Sequence, residues 1–415
     1  MNNQMEAILT QLKETSGQPV CAYLYDLDHL RAHVSGVVSQ LPERCEMYYA
    51  MKANSERPIL EELAPLVRGF EVASAGEVKK ARQVDGQIPI IFGGPGKTDT
   101  ELVEAIRAGV KLIHVESMHE LMRLEHLAGQ LNAMVSILLR INLAGPFPDA
   151  ATLHMAGRPT QFGINEREVP EIMKLLARCK HVRLEGFHFH SISNHLHESN
   201  HISLLRIYVQ KAKQWADEYG LEITRLNVGG GIGVNYQTLE EQFDWSLFVS
   251  LLAEFVEREV PENWKLMFEC GRFLTASCGY YVTEVLDLKE NHGERYAVVR
   301  GGTHHFRLPS SWQHNHPFEI VPVEQWAYPF ARKEWEAVDV TVVGQLCTPK
   351  DVMARKVPVS RIRIGDWIAF QYTGAYSWSI SHHDFLSHPH PAHVWVRPSV
   401  NEWSVTGKVG EAWTS

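Results

Sequence analysis

Residues 88–127 read IPIIFGGPGKTDTELVEAIRAGVKLIHVESMHELMRLEHL, and their pattern decides the fold. Two short apolar runs, 88–92 and 111–115, are each followed by a longer segment, Thr98 to Ala108 and Ser117 to Leu127, whose apolar residues recur three and four apart. A short apolar run reads as a buried strand and a 3.6-residue period as an amphipathic helix, so the stretch holds two successive β/α units. Upstream and downstream, further runs fall at 47–50, 69–73, 134–141, 182–189, 223–228 and 265–269, with another helical segment from Ile202 to Tyr219. Eight parallel strands with helices between them close into a (β/α)8 barrel of the TIM type.

After Arg272 the pattern changes. TASCGYYVTEVLDLK, RYAVVRGG, VDVTVVGQL and DWIAFQYTGAY are β-branched and aromatic runs with little helical period, which predicts a mostly antiparallel β domain. CAYLYDLD at 21–28 precedes the barrel and is expected to pair with that domain, with Asp28 capping the helix that enters HLRAHV. The expected division is discontinuous: a barrel over 29–272 and a β-rich domain over 1–28 and 273–415. No internal repeat is visible beyond the β/α unit.

The 415 residues, 45% hydrophobic and 21% charged, match an ordinary globular chain of about two domains. A net charge of −9 argues against a nucleic-acid surface and favours small-molecule partners. MNNQMEAILTQLKE reads as an amphipathic helix, and no apolar stretch approaches a membrane span, so the expectation is a cytoplasmic protein with no membrane partner. The six cysteines, Cys21, Cys45, Cys179, Cys270, Cys278 and Cys347, form no CxxC pair and fit neither a disulfide framework nor a zinc ribbon.

In such a barrel the chemistry collects where strands end. Strand one ends at Lys52, strand two at Glu71 and Ser74, strand five at Arg140, and strand six at His190 and Ser193. Strand seven ends in Gly229, Gly230 and Gly231, and strand eight in Glu269, Gly271 and Arg272. Singly, a lysine reads as a solvated charge and a glycine triplet as a turn. Together, a glycine turn, an arginine and a serine hydroxyl make a phosphate site, and the missing GKS/T argues against a nucleotide P-loop. A lysine on the same rim can form a Schiff base with an aldehyde cofactor, and a nearby carboxylate can keep a pyridine nitrogen protonated, as pyridoxal 5'-phosphate requires. The histidine pairs at 304–305 and 382–383 raise metal ligation, but no HxxxH or HExxH helix spacing accompanies them, so no metal is expected.

In order and rough spacing, YYAMKAN, GFEVASAGEV, GFHFHSIS, LNVGGGIG, ECGR, GQLCTPKD and GAY resemble the motifs of the fold-type III pyridoxal-phosphate decarboxylases, the diaminopimelate and ornithine/arginine decarboxylase family. The resemblance covers roughly residues 20 to 390 and implies an alanine-racemase-like architecture. It makes Lys52 the cofactor lysine, His190 the ring stacked on the cofactor face and Glu269 the partner of the pyridine nitrogen, with Glu71 near the imine. It puts Ser193, Gly229, Gly230, Gly231, Gly271, Arg272 and Tyr376 around the phosphate. It further implies a homodimer with shared active sites, in which Cys347 and Asp351 complete the partner's site and Cys347 returns a proton to the carbanion. Alanine racemases share the barrel but set an arginine against the pyridine nitrogen, so Glu269 favours decarboxylation over racemisation.

The family's diamino-acid enzymes carry an acid directly after the cysteine; here that residue is Thr348. A hydroxyl cannot pair a buried ammonium, so a free basic substrate is disfavoured. Arg158, Arg300, His304, His305, Arg307 and HHDFLSH instead suit a substrate bearing carboxylates, with Arg158, His304, Arg307, Thr348 and Asp351 as the substrate-binding candidates. The pattern is similar to the subgroup in citrate-based siderophore assembly, of the staphyloferrin B and achromobactin type, whose substrate is an amino acid joined to citrate. The alternatives are a decarboxylase of free diaminopimelate, ornithine or arginine, and a racemase or non-catalytic homologue on the same fold.

Overall fold

The structure is a computed structural model that describes residues 1, 3–145, 151–154 and 160–406. The chain divides into two compact units: Arg31–Asn235 with Glu241–Leu274, and Met1–Leu30 with Tyr236–Glu240 and Thr275–Ser415. The divisions fall two residues beyond the expected 28/29 and 272/273. They also give Tyr236–Glu240, in the loop after the glycine triplet, to the β-rich unit.

The first unit is a closed parallel barrel of β1 (Cys45–Ala50), β2 (Gly69–Val72), β3 (Ile90–Phe92), β4 (Leu112–Val115), β5 (Val135–Asn142), β6 (Val182–His188), β7 (Arg225–Gly229) and β8 (Lys265–Cys270). Each strand pairs with its sequence neighbours, β4 with β5 and β8 with β1, so no barrel edge is left open. Every expected apolar run is one of these strands. Tyr48, Ile91, Leu112, Leu138 and Met267 form a fully buried cluster among them.

Four of the connecting helices start with side-chain caps, because a helix leaves its first N–H groups unpaired. Ser74 Oγ accepts from Glu77 N, Ser117 Oγ from Glu120 N and Asp244 Oδ1 from Leu247 N. Thr98 and Glu101 cap each other reciprocally at the helix Asp99–Arg107. Each cap contributes about 1 kcal/mol and stops the chain turning back at random after its strand. The helix Leu27–Ser39 begins earlier than expected, and Asp26 rather than Asp28 is its cap: Asp26 Oδ1 accepts from His29 N at 2.9 Å. Asp28 instead accepts from Ser399 N.

In the β-rich unit the strand Cys21–Asp26 lies between Gly279–Asn291, antiparallel, and Ala392–Arg397, parallel. Gly279–Asn291 continues through Glu294–Val299 to Glu334–Val343 and Val352–Arg363. Apart from the Cys21/Ala392 and Glu294/Glu334 strand pairs, the pairings are antiparallel. The strand Val352–Arg363 was not legible as one, since Pro358 and four Arg or Lys side chains interrupt its apolar residues. Strand structure begins at Gly279, and the preceding residues Thr275 to Cys278 are helical turns. The helix Asn3–Ser16 packs Met5, Ile8 and Leu9 onto Leu24, Val282, Trp367 and Val394. Among the described residues, no helix is long and apolar enough to cross a membrane.

Candidate active site

At the C-terminal end of β1 the chain makes one helical turn, Met51–Ala53, which carries Lys52. In the β1/β2 register Ala50 lies opposite Glu71, so the lysine two residues on reaches back to that carboxylate. Lys52 Nζ donates to Glu71 Oε2 at 2.9 Å. Glu71 is buried, and burial raises its pKa against the lowering effect of Lys52, with Glu269 adding to the rise. The lysine side chain is 44% exposed, so solvent screens the pair and leaves the amine within reach of a ligand.

Glu269, on β8, is buried inside the barrel. Asn227 Nδ2, on β7, donates to its Oε1 at 2.6 Å. His114 Nε2, on β4, lies 3.6 Å from Oε1, and His188 Nε2, on β6, lies 3.4 Å from Oε2. The two imidazole rings are 4.0 Å apart. Burial pushes both imidazoles well below their ordinary pKa, and so holds them neutral. The ligating atoms of His114, His188 and Glu269 fall within 4.8 Å of one another, a grouping the sequence reading did not pick out. His114, His188 and Asn227 were legible in one respect. Each is a single polar residue between apolar ones in a barrel strand, as in FHF and LNV, which puts it on the face opposite its neighbours.

The β7 glycines allow a close approach of backbones. A Cβ on Gly229 would meet His190 Nδ1 at 2.5 Å, one on Gly230 the Glu269 carbonyl oxygen at 2.2 Å, and one on Gly231 the Ile192 carbonyl oxygen at 2.8 Å. Gly229 and Gly231 also hold positive φ, at 69° and 84°. Gly271 is confined too, since a Cβ on it would meet Ala53 Cβ at 2.8 Å, and the buried Arg272 follows it. Gly230 N donates to His190 Nδ1 at 3.4 Å, and burial, then Arg140 and Lys52, lower the pKa of this imidazole well below its ordinary value. Ser193 lies on Ile192–His195, whose backbone is tied to the glycine turn by His195 N to Gly231 O and Gly233 N to His195 O. Arg140, on β5, pairs with Glu116 at 2.9 Å. The barrel rim thus gathers Lys52, Glu71, His190, Ser193, Gly229, Gly230, Gly231, Glu269, Gly271 and Arg272 in one unit. It offers an amine, a tight glycine turn, a buried arginine, and a carboxylate with neutral partners.

The remaining candidates belong to the β-rich unit. Cys347 is an exposed free thiol on the turn between Glu334–Val343 and Val352–Arg363, next to the half-buried Thr348. Asp351 closes that turn: Oδ1 accepts from Thr303 N at 2.6 Å and Oδ2 from Leu346 N at 2.9 Å. It is 2% exposed, and burial raises its carboxyl pKa. Both oxygens thus accept from buried backbone N–H groups, which ties this carboxylate to its own loop. Gln345 adds to the clamp by accepting from Arg300 Nη1 and Gly301 N. His304 is fully buried, neither ring nitrogen has a hydrogen-bond partner among the described residues, and burial pushes its pKa down to about 3. Burial thus favours the neutral form of this ring. Arg307 is exposed, Tyr376 holds a left-handed φ of 52°, and Arg158 lies outside the described residues.

Comparison with known proteins agrees with this geometry. Residues 27–276 match the family described as pyridoxal-dependent decarboxylase, pyridoxal binding domain. The chain is 53% identical, over 94% of its own length and 98% of the relative's, to a Staphylococcus aureus decarboxylase of 2-hydroxybutanedioate carrying an (L-alanin-3-ylcarbamoyl)methyl group at C2. It is 32% identical, over 95% and 92% of the two chains, to an L-glutamyl-acyl-carrier-protein decarboxylase of Niallia circulans. In architecture it is similar to diaminopimelate decarboxylase of Helicobacter pylori crystallised with L-lysine, with a TM-score of 0.82, 25% identity and 95% of each chain covered.

Proposed function

The chain belongs to the pyridoxal-dependent decarboxylase family, and on that premise we propose that it uses pyridoxal 5'-phosphate to release CO2 from an amino acid joined to citrate, as in siderophore assembly. The substrate class is carried by the 53% identity to the Staphylococcus aureus enzyme over nearly all of both chains. The compound in that enzyme's name is citrate with a terminal carboxyl amide-linked to the 3-amino group of diaminopropionate. Its far end is two carboxylates and a hydroxyl, with no ammonium. Thr348, in place of an acid after Cys347, suits such an end.

The barrel rim fits the cofactor. Lys52 is the amine that would hold its aldehyde, and the Cβ-excluding turn at Gly229, Gly230 and Gly231, with Gly271, Arg272, Ser193 and Tyr376, would hold its phosphate. His190 would lie against its ring, and Glu269 would hold a proton at the ring nitrogen. When bound, pyridoxal phosphate supplies a sink for the electron pair left at Cα as CO2 departs.

The rest falls to the chain's own side chains. Glu71 Oε2, 2.9 Å from Lys52 Nζ, takes the proton that the amine sheds and returns it when the lysine is released. Asp351 and Gln345 set the turn that presents the Cys347 thiol, which delivers a proton to Cα in the site of a second copy of the chain. The active unit is thus a homodimer with shared sites, and Arg307 pairs a substrate carboxylate.

The test is to incubate the purified protein and pyridoxal phosphate with the citrate conjugate of diaminopropionate and to follow CO2 and product mass. A product lighter by one carboxyl is expected. A conjugate left intact by a protein that has bound the cofactor would refute the substrate.

A further inference from the structure

The structure assigns to Asn227 a positioning role: its side-chain amide ties the carboxylate of Glu269 to the Gly229 turn, and so sets the ring-nitrogen end and the phosphate end of a bound pyridoxal phosphate together. This deepens the cofactor reading above and rests on it.

Asn227 is fully buried in the middle of β7. A buried amide must find partners for both halves, and the two halves here serve different groups. Nδ2 donates to Glu269 Oε1 at 2.6 Å on the neighbouring strand. Oδ1 accepts from Gly229 N at 2.9 Å, two residues ahead on its own strand. That second bond is the side-chain turn by which asparagine bends the backbone after it. It spans an irregularity: the β7/β8 register shifts between Asn227 and Gly229, so that Gly229 rather than Val228 stands opposite Phe268. Gly229 enters its left-handed φ of 69° at this slip. The first glycine of the turn is thus placed by the same side chain that orients the carboxylate.

Glu269 has no lysine or arginine ion partner among the described residues. Lys52 is paired with Glu71, Arg140 with Glu116 and Lys97 with Glu120. Its neighbours are an amide and two buried imidazoles, His114 and His188. A buried carboxylate held only by neutral groups still lacks a cation, and a protonated ring nitrogen supplies one.

Two substitutions separate the halves. Asn227→Leu keeps the approximate shape and loses both bonds. Asn227→Asp keeps the acceptor for Gly229 N and replaces the donor with a second anion beside Glu269. The readout is the dissociation constant of pyridoxal phosphate and of its 1-deaza analogue, whose ring has no nitrogen for Glu269, by fluorescence titration of the apoprotein. Wild type is expected to prefer pyridoxal phosphate over the analogue by about ten-fold or more, the range of one charge-assisted hydrogen bond. Asn227→Asp should lose that preference while still binding the analogue as wild type does. Asn227→Leu should lose the preference and also bind both compounds about ten-fold more weakly.

A residue that merely supports the barrel would weaken both compounds by the same factor in both variants, and that result would overturn the inference. So would stoichiometric Zn2+ uptake by the apoprotein that Glu269→Gln abolishes, which would make His114, His188 and Glu269 a metal site. Failure of the wild type to bind pyridoxal phosphate would instead overturn the cofactor reading itself.

Discussion

The ammonium of Lys52 lies 2.9 Å from the carboxylate of Glu71, an ion pair between one turn just beyond β1 and the middle of the adjacent strand β2. One partner is half exposed and the other almost fully enclosed, so the pair faces a ligand on the lysine side only. Lys52→Ala is expected to abolish both the visible absorbance of the bound cofactor and the adduct that borohydride fixes to the chain. Glu71→Gln should keep the absorbance and lower kcat by about 100-fold, as expected for a lost proton-transfer group. Absorbance spectra and borohydride labelling with peptide mapping check both, and label recovered on the Lys52→Ala chain would show that another lysine holds the cofactor.

Cys347 stands on a turn of the β-rich unit, and in the proposed homodimer it serves the other copy's barrel. Lys52→Ala and Cys347→Ala proteins are each expected to be inactive, and mixing them should recover up to about a quarter of wild-type turnover, since only one site of a mixed dimer has both residues. No recovery in a mixture shown to exchange subunits would put Cys347 in its own chain's site.

Asp351 holds the Cys347 turn through the N–H groups of Thr303 and Leu346. Asp351→Ala strands two buried donors and should destabilise the protein by about 2–4 kcal/mol. It should also lower kcat while leaving cofactor affinity near wild type. Thermal melts, cofactor titration and steady-state kinetics separate these effects, and unchanged kcat would leave Asp351 with no part in presenting the thiol.

Burial pushes the pKa of His201 and His304 down to about 3 and that of His195 and His393 down to about 4, from an ordinary 6.5. The unfolded chain therefore binds protons that these folded imidazoles refuse. Their share of stability is fully present above pH 6.5 and is lost as pH falls toward 3–4, at about 1.4 kcal/mol per pH unit for each histidine. Both nitrogens of His201 lack a hydrogen-bond partner among the described residues, so His201→Leu removes a titrating group without stranding a bond. The Tm of this variant is expected to fall less steeply than wild type between pH 6.5 and 5. Equal slopes would mean that His201 does not titrate on unfolding as described.

The barrel was legible because its strands are short apolar runs, and because several of its helices announce themselves through caps such as Ser74, Thr98 and Ser117. The strand Val352–Arg363 was hidden by its charges and Pro358, because an exposed strand face places no demand on apolar periodicity. Motif order reports chain position, and so sets the candidates from Lys52 to Arg272 at or just after strand ends. It does not disclose that both oxygens of Asp351 accept from backbone N–H groups. His304 illustrates the same limit: its charge is decided by burial, which one residue type in a loop does not disclose. His114, His188 and Asn227 come from three strands, and only barrel closure brings them to Glu269.

Substrate class is the central claim, and the most direct measurement is kcat/KM for citryl-diaminopropionate against free diaminopimelate, ornithine and arginine, with the wild type and Thr348→Asp side by side. An ammonium paired by an acid gains about 1.5–3 kcal/mol, or roughly ten- to a hundred-fold. Wild type is predicted to favour the conjugate strongly, and Thr348→Asp to raise kcat/KM for the free diamino acids by that factor while lowering it for the conjugate. Arg307→Ala should raise KM for the conjugate more than it lowers kcat. A higher wild-type kcat/KM for free diaminopimelate, ornithine or arginine than for the conjugate would contradict the assignment.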